Sequence, residues 1–278
     1  MKRHIACLTF DHDNTALFIA RGMDTPTALS RGDFGVVAIP RILALLERYN
    51  IRATFFTPGH TIETYPGCVR QVVDAGHEIA HHGWTHRVPS TLGRDREEEE
   101  LIRGNEAIEK LTGSRARGYR SPSWDLGPDS VELLLEHGFE YDSSMMGDDY
   151  NCYFVHQGGS YPLEEPGDPG EATSLVEMPV SWTLDDYPHF EYMRSPTGLQ
   201  QGLMNASAVL QNWVDDFTYM TRIQDFGILT YTFHPHVIGR GHRMMALERL
   251  ITSLLEQGAE FMAMEDALAA WRQHDAAQ

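Results

Sequence analysis

Residues 75–86 read AGHEIAHHGWTH and run from a helix end through an extended segment into a cluster of histidines. Gly76 follows an amphipathic stretch and suits the left-handed backbone position that ends many helices. Gly138 and Gly258 stand at similar boundaries, and Asn50 suits the same position. Because helix–glycine–strand units recur in series, the sequence predicts βα repeats around a mostly parallel sheet, either closed or open.

Apolar periodicity outlines the elements on both sides of this stretch. Helical spacing of apolar residues occurs within residues 39–46 and 247–255, whereas β-like runs occupy residues 5–10, 53–57 and 228–233. Short β-like runs between amphipathic helices again indicate an α/β fold.

Three other segments carry no clear catalytic pattern. Residues 22–35 and 148–169 are rich in turn-forming residues, and we expect both to be long loops at the active-site end. The acidic run DREEEE at residues 95–100 is expected to be the solvated face of a helix. No segment is a convincing domain boundary, so we predict a single catalytic domain over residues 1–278.

The composition is that of an acidic globular protein. Of 278 residues, 42% are apolar, and 22 Lys and Arg against 40 Asp and Glu give a net charge of −18. This charge argues against nucleic acid, membranes and other polyanions as partners. Cys7, Cys68 and Cys152 are too scattered for a disulfide framework and are expected to be small buried hydrophobes. No export signal or membrane-spanning stretch is recognised, so a cytoplasmic location is expected.

The histidine cluster allows two metal-binding interpretations, besides a chance group of surface histidines. Residues 77–81 match the HExxH signature of zinc proteases, which requires a helix. The flanking glycines predict an extended segment instead, and a strand would place its two histidines too far apart to share an ion. The other interpretation pairs His82 with His86, which follow the strand and need a third ligand to form an open zinc site.

The first predicted strand ends in two carboxylates. Alternation along a strand directs the side chains of Asp11 and Asp13 to one side and His12 to the other. Two neighbouring carboxylates are costly without a positive charge nearby, although Asp is also common in turns and helix caps. A metal satisfies the pair, with one aspartate as ligand and the other as base.

Two further residues end short β-like segments. Arg120 is either a surface charge or a bidentate partner of a carboxylate. His234 stands at the rim where βα folds carry catalysis, although a lone histidine there is more often structural. The presence of the other clusters favours the catalytic interpretation of both.

In this order, the clusters resemble the motifs of the polysaccharide deacetylase family, the NodB-homology hydrolases. Residues 9–13 (TFDHD) are similar to the TFDDG motif, residues 82–86 (HGWTH) to the H[ST]xxH motif, residues 120–124 (RSPSW) to the RxPxW motif, and residues 234–235 to the late HP motif. The resemblance covers nearly the whole chain. The FDxD and HGxxH forms are similar to a sub-branch of peptidoglycan-deacetylase-like proteins, allantoinase-like proteins and cyclic imide hydrolases.

The resemblance implies a deformed (β/α) barrel with mostly parallel strands and a metal at their carboxyl ends. It implies Zn²⁺, or another divalent ion, held by Asp13, His82 and His86. The chain departs from the family pattern because His12 occupies the usual metal aspartate position. In the sub-branch the following aspartate is the ligand, which transfers that role to Asp13.

The resemblance also implies catalytic roles for Asp11 as base, Arg120 as the residue that orients it, and His234 as general acid. With a water molecule activated by the metal, these residues predict a hydrolase of non-peptide C–N amide bonds. Two further stretches are similar to the sub-branch, residues 182–188 (WTLDDYP) and the GRxxR pattern of residues 239–243. Residues within or beside all these motifs are candidates for substrate binding: Trp84, Trp124, Trp182, Asp185, Asp186 and Arg240.

The substrate stays open between two classes. The lack of a recognised leader favours a small cyclic amide, imide, ureide or N-acetyl compound inside the cell, and the alternative is N-acetylglucosamine or peptidoglycan in the cell wall. Lesser alternatives are the HExxH protease, a non-catalytic carbohydrate-binding relative and a serine hydrolase, although no GxSxG motif occurs. By analogy with the sub-branch, we expect a homo-oligomer, specifically a tetramer.

Overall fold

Strands and helices alternate along the chain, as the recurring helix–glycine–strand boundaries predict. The computed structural model describes residues 2–195 and 198–277. Its strands are β1 (Arg3–Asp11), β2 (Thr54–Thr57), β3 (Glu78–His81), β4 (Gly118–Tyr119), β5 (Tyr141–Asp142), β6 (Tyr153–Ser160), β7 (Asp168–Glu177), β8 (Tyr192–Ser195), β9 (Gly198–Gln201), β10 (Phe226–Phe233) and β11 (Glu260–Phe261). Its helices are α1 (Ala16–Ala20), α2 (Pro26–Arg48), α3 (Gly59–Thr64), α4 (Pro66–Asp74), α5 (Arg94–Thr112), α6 (Ser130–Glu136), α7 (Asp186–Phe190), α8 (Ala206–Ile223), α9 (Pro235–Ile238), α10 (Gly241–Glu256) and α11 (Met264–Asp275).

The main sheet is mostly parallel and curves into an incompletely closed barrel. Its strand order is β10-β1-β2-β3-β4-β5-β7-β6, and β11 also pairs with β1. All these pairings are parallel except that of β6 with β7. A backbone hydrogen bond from Ile228 to Tyr150 links β10 to the segment before β6. The α/β fold with a mostly parallel, deformed barrel is confirmed.

The central strand β1 is buried on both faces, as parallel strands usually are. Its side chains alternate between two apolar clusters: Ala6, Leu8 and Phe10 join the larger one, while Ile5 and Cys7 join a smaller one with α11. Because the strand is fixed on both sides, its carboxyl end is a rigid platform for the residues that follow it.

The predicted helix ends are confirmed by backbone angles. Gly76, Gly138 and Gly258 have φ values of 81°, 74° and 83°, and Asn50 has a φ of 52°. Each lies between the end of a helix and the strand or extended segment that follows. A glycine adopts this left-handed conformation without the steric penalty that a Cβ brings.

The loop predicted over residues 22–35 is wrong, because α2 already begins at Pro26. The Thr25 side chain accepts a hydrogen bond from the backbone N–H of Ala28 and caps the helix. Glycines inside this helix weaken its sequence signal, but packing requires one of them. A Cβ on Gly32 would come within 2.5 Å of the backbone oxygen of Asn14.

The loop predicted over residues 148–169 is also wrong in part. Strand β6 and the first residues of β7 form an antiparallel hairpin here, and only the segments around β6 are irregular. Most of β6 is exposed, so its sequence lacks the apolar alternation that marks a half-buried strand.

Two expectations from composition can be compared with the structure. All three cysteines are free and buried, which confirms them as small core residues. Within the part of the chain that the structure describes, no helix combines the length and apolarity needed to cross a membrane.

Candidate metal centre and active site

The carboxyl ends of strands β1, β3 and β10 bring together the residues singled out in the sequence. Asp11 ends β1 and Asp13 follows it, His82 follows β3, and His234 follows β10. Since β1 lies between β2 and β10 in the sheet, loops that are distant in the sequence meet at one edge. His86 lies in the loop after β3 and completes the group.

Asp13, His82 and His86 form a set of ligand atoms that lie within 4.8 Å of one another. Nε2 of His82 lies 3.4 Å from one Asp13 carboxylate oxygen, and Nε2 of His86 lies 3.5 Å from the other. Among the described residues, neither Asp13 oxygen has a hydrogen-bond partner, nor does Nε2 of His82. Buried acceptors without donors are costly, and one carboxylate with two imidazoles is a donor set that zinc uses. The three residues therefore fit a divalent cation.

The electrostatics of this set agree with metal binding. Burial, with the nearby Asp11 carboxylate adding to it, raises the pKa of Asp13 to about 8, although His234 opposes the shift. Burial lowers the pKa of His82 and lowers that of His86 well below its ordinary value. The imidazoles are thus neutral, which is the form that binds metals, and the carboxylate lacks a cation that would keep it ionised.

The two histidines are held in position by backbone contacts. The Nδ1–H of His82 donates to the backbone oxygen of Arg120 at 2.7 Å, which leaves Nε2 as the ligand atom. His86 has a φ of 59°, in the left-handed region that non-glycine residues rarely adopt. Such strain persists only where surrounding structure fixes the backbone.

The acidic run at residues 95–100 supplies that fixation, which corrects the expectation of a wholly solvated helix face. Glu100 is buried, and one of its oxygens accepts hydrogen bonds from the backbone N–H groups of Trp84 and Thr85 at 3.0 and 2.9 Å. Glu97 is buried as well, against Ser130. The sequence does contain a signal for this burial. Glu97 and Glu100 share a helical spacing with Leu101 and Gly104, which also face inward.

Asp11 is paired with a fully buried arginine. Arg120 donates to an Asp11 carboxylate oxygen at 2.8 Å and to the Thr9 hydroxyl at 2.8 Å. Its remaining donors bind the backbone oxygen and hydroxyl of Ser143 at 3.0 and 2.9 Å. Burial alone would raise the pKa of Asp11, but Arg120 and the nearby His82 and His234 hold it below its ordinary value. Asp11 is therefore ionised at neutral pH.

On the opposite side of the metal ligands, His234 is paired with two carboxylates. Its Nδ1–H donates to Asp186 at 2.8 Å and lies 3.5 Å from Asp185, and its backbone N–H also donates to Asp186. Burial alone would lower the pKa of His234, but these carboxylates, Asp185 foremost, raise it to about 10. His234 is thus protonated at neutral pH, with Nε2 directed toward Asp11 and Asp13.

A small cavity of about 50 Å³ opens onto this group of residues. Trp124 and Trp182 line it as a stacked pair with ring centroids 4.2 Å apart. Asp185 and Tyr187 also line it, whereas Asp186 lies behind His234 and positions that imidazole. Of the six predicted substrate-binding residues, the structure therefore places Trp124, Trp182 and Asp185 at the cavity.

Trp84 and Arg240 do not line this cavity, and a role for them in substrate binding stays a prediction. Trp84 packs against the Gly59 backbone, where a Cβ would come within 2.4 Å of the indole, and Arg103 covers its ring at 4.0 Å. The Arg240 guanidinium lies 3.5 Å from the centre of the Phe34 ring. Sequence proximity to a motif does not determine side-chain direction in a loop or at a helix end.

The HExxH interpretation is wrong, because residues 78–81 form β3 rather than a helix. The imidazole of His77 accepts a hydrogen bond from the Ala53 backbone N–H. Glu78 is buried and accepts hydrogen bonds from the hydroxyl groups of Thr54 and Tyr141. These residues hold β2, β3 and β5 together and are remote from the metal-binding set.

A buried carboxyl pair beneath Arg120 has no counterpart among the sequence-based candidates. Asp142 and Glu177 end the paired strands β5 and β7 and are fully buried. Glu177 accepts hydrogen bonds from the backbone N–H groups of Ser144 and Met145, and Asp142 accepts one from the Ser144 hydroxyl. Burial raises the pKa of both carboxyl groups. The carboxyl pair fixes the segment that holds Arg120. The two residues meet only through the register of β5 and β7, which the sequence does not show.

Comparisons with known proteins agree with this geometry. A family model described as polysaccharide deacetylase matches residues 2–141. A relative from Helicobacter pylori named peptidoglycan deacetylase is 38% identical over an alignment of 242 residues, which covers 83% of this chain and 82% of that protein.

Solved structures show the same fold. A protein from Mycobacterium smegmatis, named provisionally as a polysaccharide deacetylase, is 29% identical with a TM-score of 0.85 and covers 99% of this chain and 92% of its own. PuuE allantoinase, at 19% identity, has a TM-score of 0.78 over 98% of this chain and 91% of its own and shares the fold. The chain belongs to the polysaccharide deacetylase family, whose members are metal-dependent hydrolases of C–N amide bonds.

Proposed function

We propose that this protein is a deacetylase that hydrolyses the N-acetyl amide of amino sugars derived from peptidoglycan. Two observations support the proposal: the arrangement of base, metal ligands and acid, and the 38% identical relative named peptidoglycan deacetylase. The arrangement suits hydrolysis of either amide, and the relative favours the cell-wall sugar over the small cyclic amide that the sequence favours.

The observation that carries the proposed chemistry is the position of His234 relative to the two aspartates. Its Nε2 lies 4.0 Å from an Asp11 oxygen and 3.8 Å from an Asp13 oxygen. A protonated group and an ionised carboxylate therefore flank the metal-binding set within reach of one carbonyl. Attack on an amide and departure of its nitrogen need these two groups in this arrangement.

The chemistry divides between the metal and the side chains. A divalent cation held by Asp13, His82 and His86 supplies polarisation of the amide carbonyl and acidification of a water molecule. Asp11, kept ionised by Arg120, accepts the proton of the water that attacks the carbonyl carbon.

The other half of the reaction belongs to the acid side of the site. His234, kept protonated by its carboxylate partners, gives its Nε2 proton to the leaving nitrogen. The C–N bond breaks as a C–O bond replaces it, and acetate and a free amine leave. Asp186 holds the donor ring through Nδ1, so that Nε2 faces the reacting atoms.

The dimensions of the cavity suit an acetyl group. A volume of about 50 Å³ is of the order of one short acyl chain, and the stacked indoles of Trp124 and Trp182 border it. An exposed indole at the mouth, such as that of Trp182, can pack on the apolar face of a sugar ring. A second candidate is a small planar cyclic amide or ureide, whose ring can stack on the same indoles.

One assay distinguishes the two substrates. With zinc-loaded protein of measured metal content, we expect acetate release from N-acetylglucosamine oligomers and no ring opening of a simple cyclic imide or allantoin. The activity should be lost on chelation and in Asp11→Asn. Ring opening without acetate release would contradict the sugar substrate and support the second candidate. Absence of both activities would contradict both.

A further inference from the structure

A second cavity, of about 170 Å³, lies next to the catalytic histidine and concentrates positive charge. We call it the arginine pocket and define it by the five residues that the argument uses: Arg31, Glu191, His236, Arg240 and Arg243. Three guanidinium groups face this cavity in a chain whose net charge is −18. Glu191 pairs with Arg31, which leaves two positive charges in excess among the lining residues.

Two of these residues are buried with donor or acceptor atoms left over. Arg243 is 8% exposed and donates through its two terminal nitrogens to the backbone oxygens of Val237 and Phe190, both at 2.9 Å. Its Nε has no hydrogen-bond partner among the described residues, and the same holds for both ring nitrogens of His236, which is 3% exposed. Buried polar atoms that lack hydrogen-bond partners are costly, so their position at a cavity favours a polar ligand there.

Each guanidinium group lies over an aromatic ring, and among the described residues only that of Arg31 also pairs with a carboxylate. Arg240 stacks on Phe34 at 3.5 Å, and Arg31 lies over Phe18 at 5.6 Å. Burial lowers the pKa of Arg31 and Arg243, and the charge of Arg240 lowers both further. These like charges repel one another, and an anion bound between them would offset that repulsion.

We propose that the arginine pocket binds a small oxyanion, a carboxylate or phosphate group. Guanidinium forks match the planar geometry of these groups, and a buried imidazole adds a further donor. The ring centroid of His236 lies 5.9 Å from that of His234 and 6.3 Å from that of Tyr187, so the bound anion sits one side chain away from the catalytic acid. The anion is either an acidic part of the substrate or a separate small molecule that modulates the reaction.

Binding is tested by calorimetric titration of the zinc-loaded protein with inorganic phosphate. We expect Arg240→Gln to weaken phosphate binding by about tenfold or more, because charge-assisted hydrogen bonds are lost. Glu191→Gln should tighten it, since the competing carboxylate is removed. Arg249→Gln is the matched control, because Arg249 is an exposed arginine of helix α10, which begins directly after Arg240, and does not line the cavity. Phosphate bound only at the metal would respond to none of the three, and that result would overturn the proposal.

Kinetics distinguish the two sources of the anion. If it belongs to the substrate, Arg240→Gln should raise KM for a carboxylate-bearing N-acetylmuramic acid saccharide far more than for neutral N-acetylglucosamine oligomers. If it is a separate molecule, phosphate should change kcat or KM for the neutral oligomers in the wild type and not in Arg240→Gln. Absence of both effects would contradict a site coupled to the reaction. The titration does not depend on the proposed activity, so failure of one is distinguishable from failure of the other.

Discussion

Asp11 and Asp13 lie two residues apart and differ only in their surroundings. Asp11 accepts a hydrogen bond from Arg120, which holds its pKa below the ordinary value against burial. Asp13 has no hydrogen-bond donor among the described residues, and burial raises its pKa to about 8. We therefore propose two roles for one residue type: Asp11 as an ionised base, and Asp13 as a metal ligand that needs a cation.

Exchange of either aspartate should separate these roles. Asp11→Asn should keep the metal, because the ligand set is untouched, and should lower kcat by about 10²–10⁴-fold through loss of the base. Asp13→Ala should lose bound metal, because a ligand is missing. Metal content by mass spectrometry, measured beside turnover, checks both. Metal loss in Asp11→Asn, or full metal content in Asp13→Ala, would show that the roles are assigned wrongly.

Metal affinity should depend on pH through Asp13. In the metal-free protein the pKa of Asp13 is about 8, so protons and metal compete for the same carboxylate. Because the ionised form binds, affinity should fall as pH is lowered below this value, by about tenfold per pH unit. Competition with a chelator at several pH values measures it. An affinity that stays constant between about pH 6 and about pH 8 would contradict this origin of the competition.

At the scale of elements, helix α5 fixes the loop that carries the ligands. Glu100 is buried beneath the segment between His82 and His86 and accepts the backbone N–H groups of Trp84 and Thr85. The left-handed backbone of His86 is maintained by this support. The helix therefore supports the proposed metal site without supplying one of its candidate ligands.

Removal of this support should weaken metal binding. Glu100→Gln lacks the charged acceptor, and we expect metal affinity to fall by about 10–100-fold, as with other groups that orient ligands. The matched control is Glu106→Gln, an exposed glutamate on the same helix, which should bind metal like the wild type. Equal affinity of both variants would contradict a role for Glu100 in positioning the loop.

Helix α2 approaches the residues after β1 so closely that only glycine fits. A Cβ on Gly32 would lie 2.5 to 2.7 Å from backbone atoms of Asn14 and Thr15. We expect Gly32→Ala to lower the free energy of unfolding by about 1–3 kcal/mol through overpacking. Gly67→Ala in α4, with no atom within 4 Å of the new Cβ, should be neutral or slightly stabilising. Urea unfolding measures both, and equal stability of the two variants would refute the packing argument.

Across the whole molecule, the sequence predicts those features of the fold and site that depend on a local pattern of residues. Gly76 and its equivalents predict the helix ends, and Asp13, His82 and His86 are ligand types at the ends of predicted strands. Their approach to one point follows because parallel strands share one carboxyl edge.

What depends on tertiary packing could not be predicted. Trp84 turns into a contact with Gly59, and Glu100 faces inward from an acidic run. The sequence predicts a loop at Gly32, although this glycine lies in helix α2, where the close backbone of Asn14 leaves no room for a side chain. Residues 153–160 form an exposed strand without apolar alternation. A cytoplasmic location and a homo-oligomer stay predictions, which cell fractionation and analytical ultracentrifugation would check.

Whether Asp13, His82 and His86 hold the metal is tested most directly by locating zinc through anomalous diffraction in crystals of the zinc-loaded protein. We expect a peak at about 2.0–2.2 Å from an Asp13 oxygen and from Nε2 of His82 and His86. A second buried group of ligand type consists of Asp185, Asp186 and His234. Zinc bound to that group instead, or to neither, would contradict the assignment of metal ligand and catalytic acid.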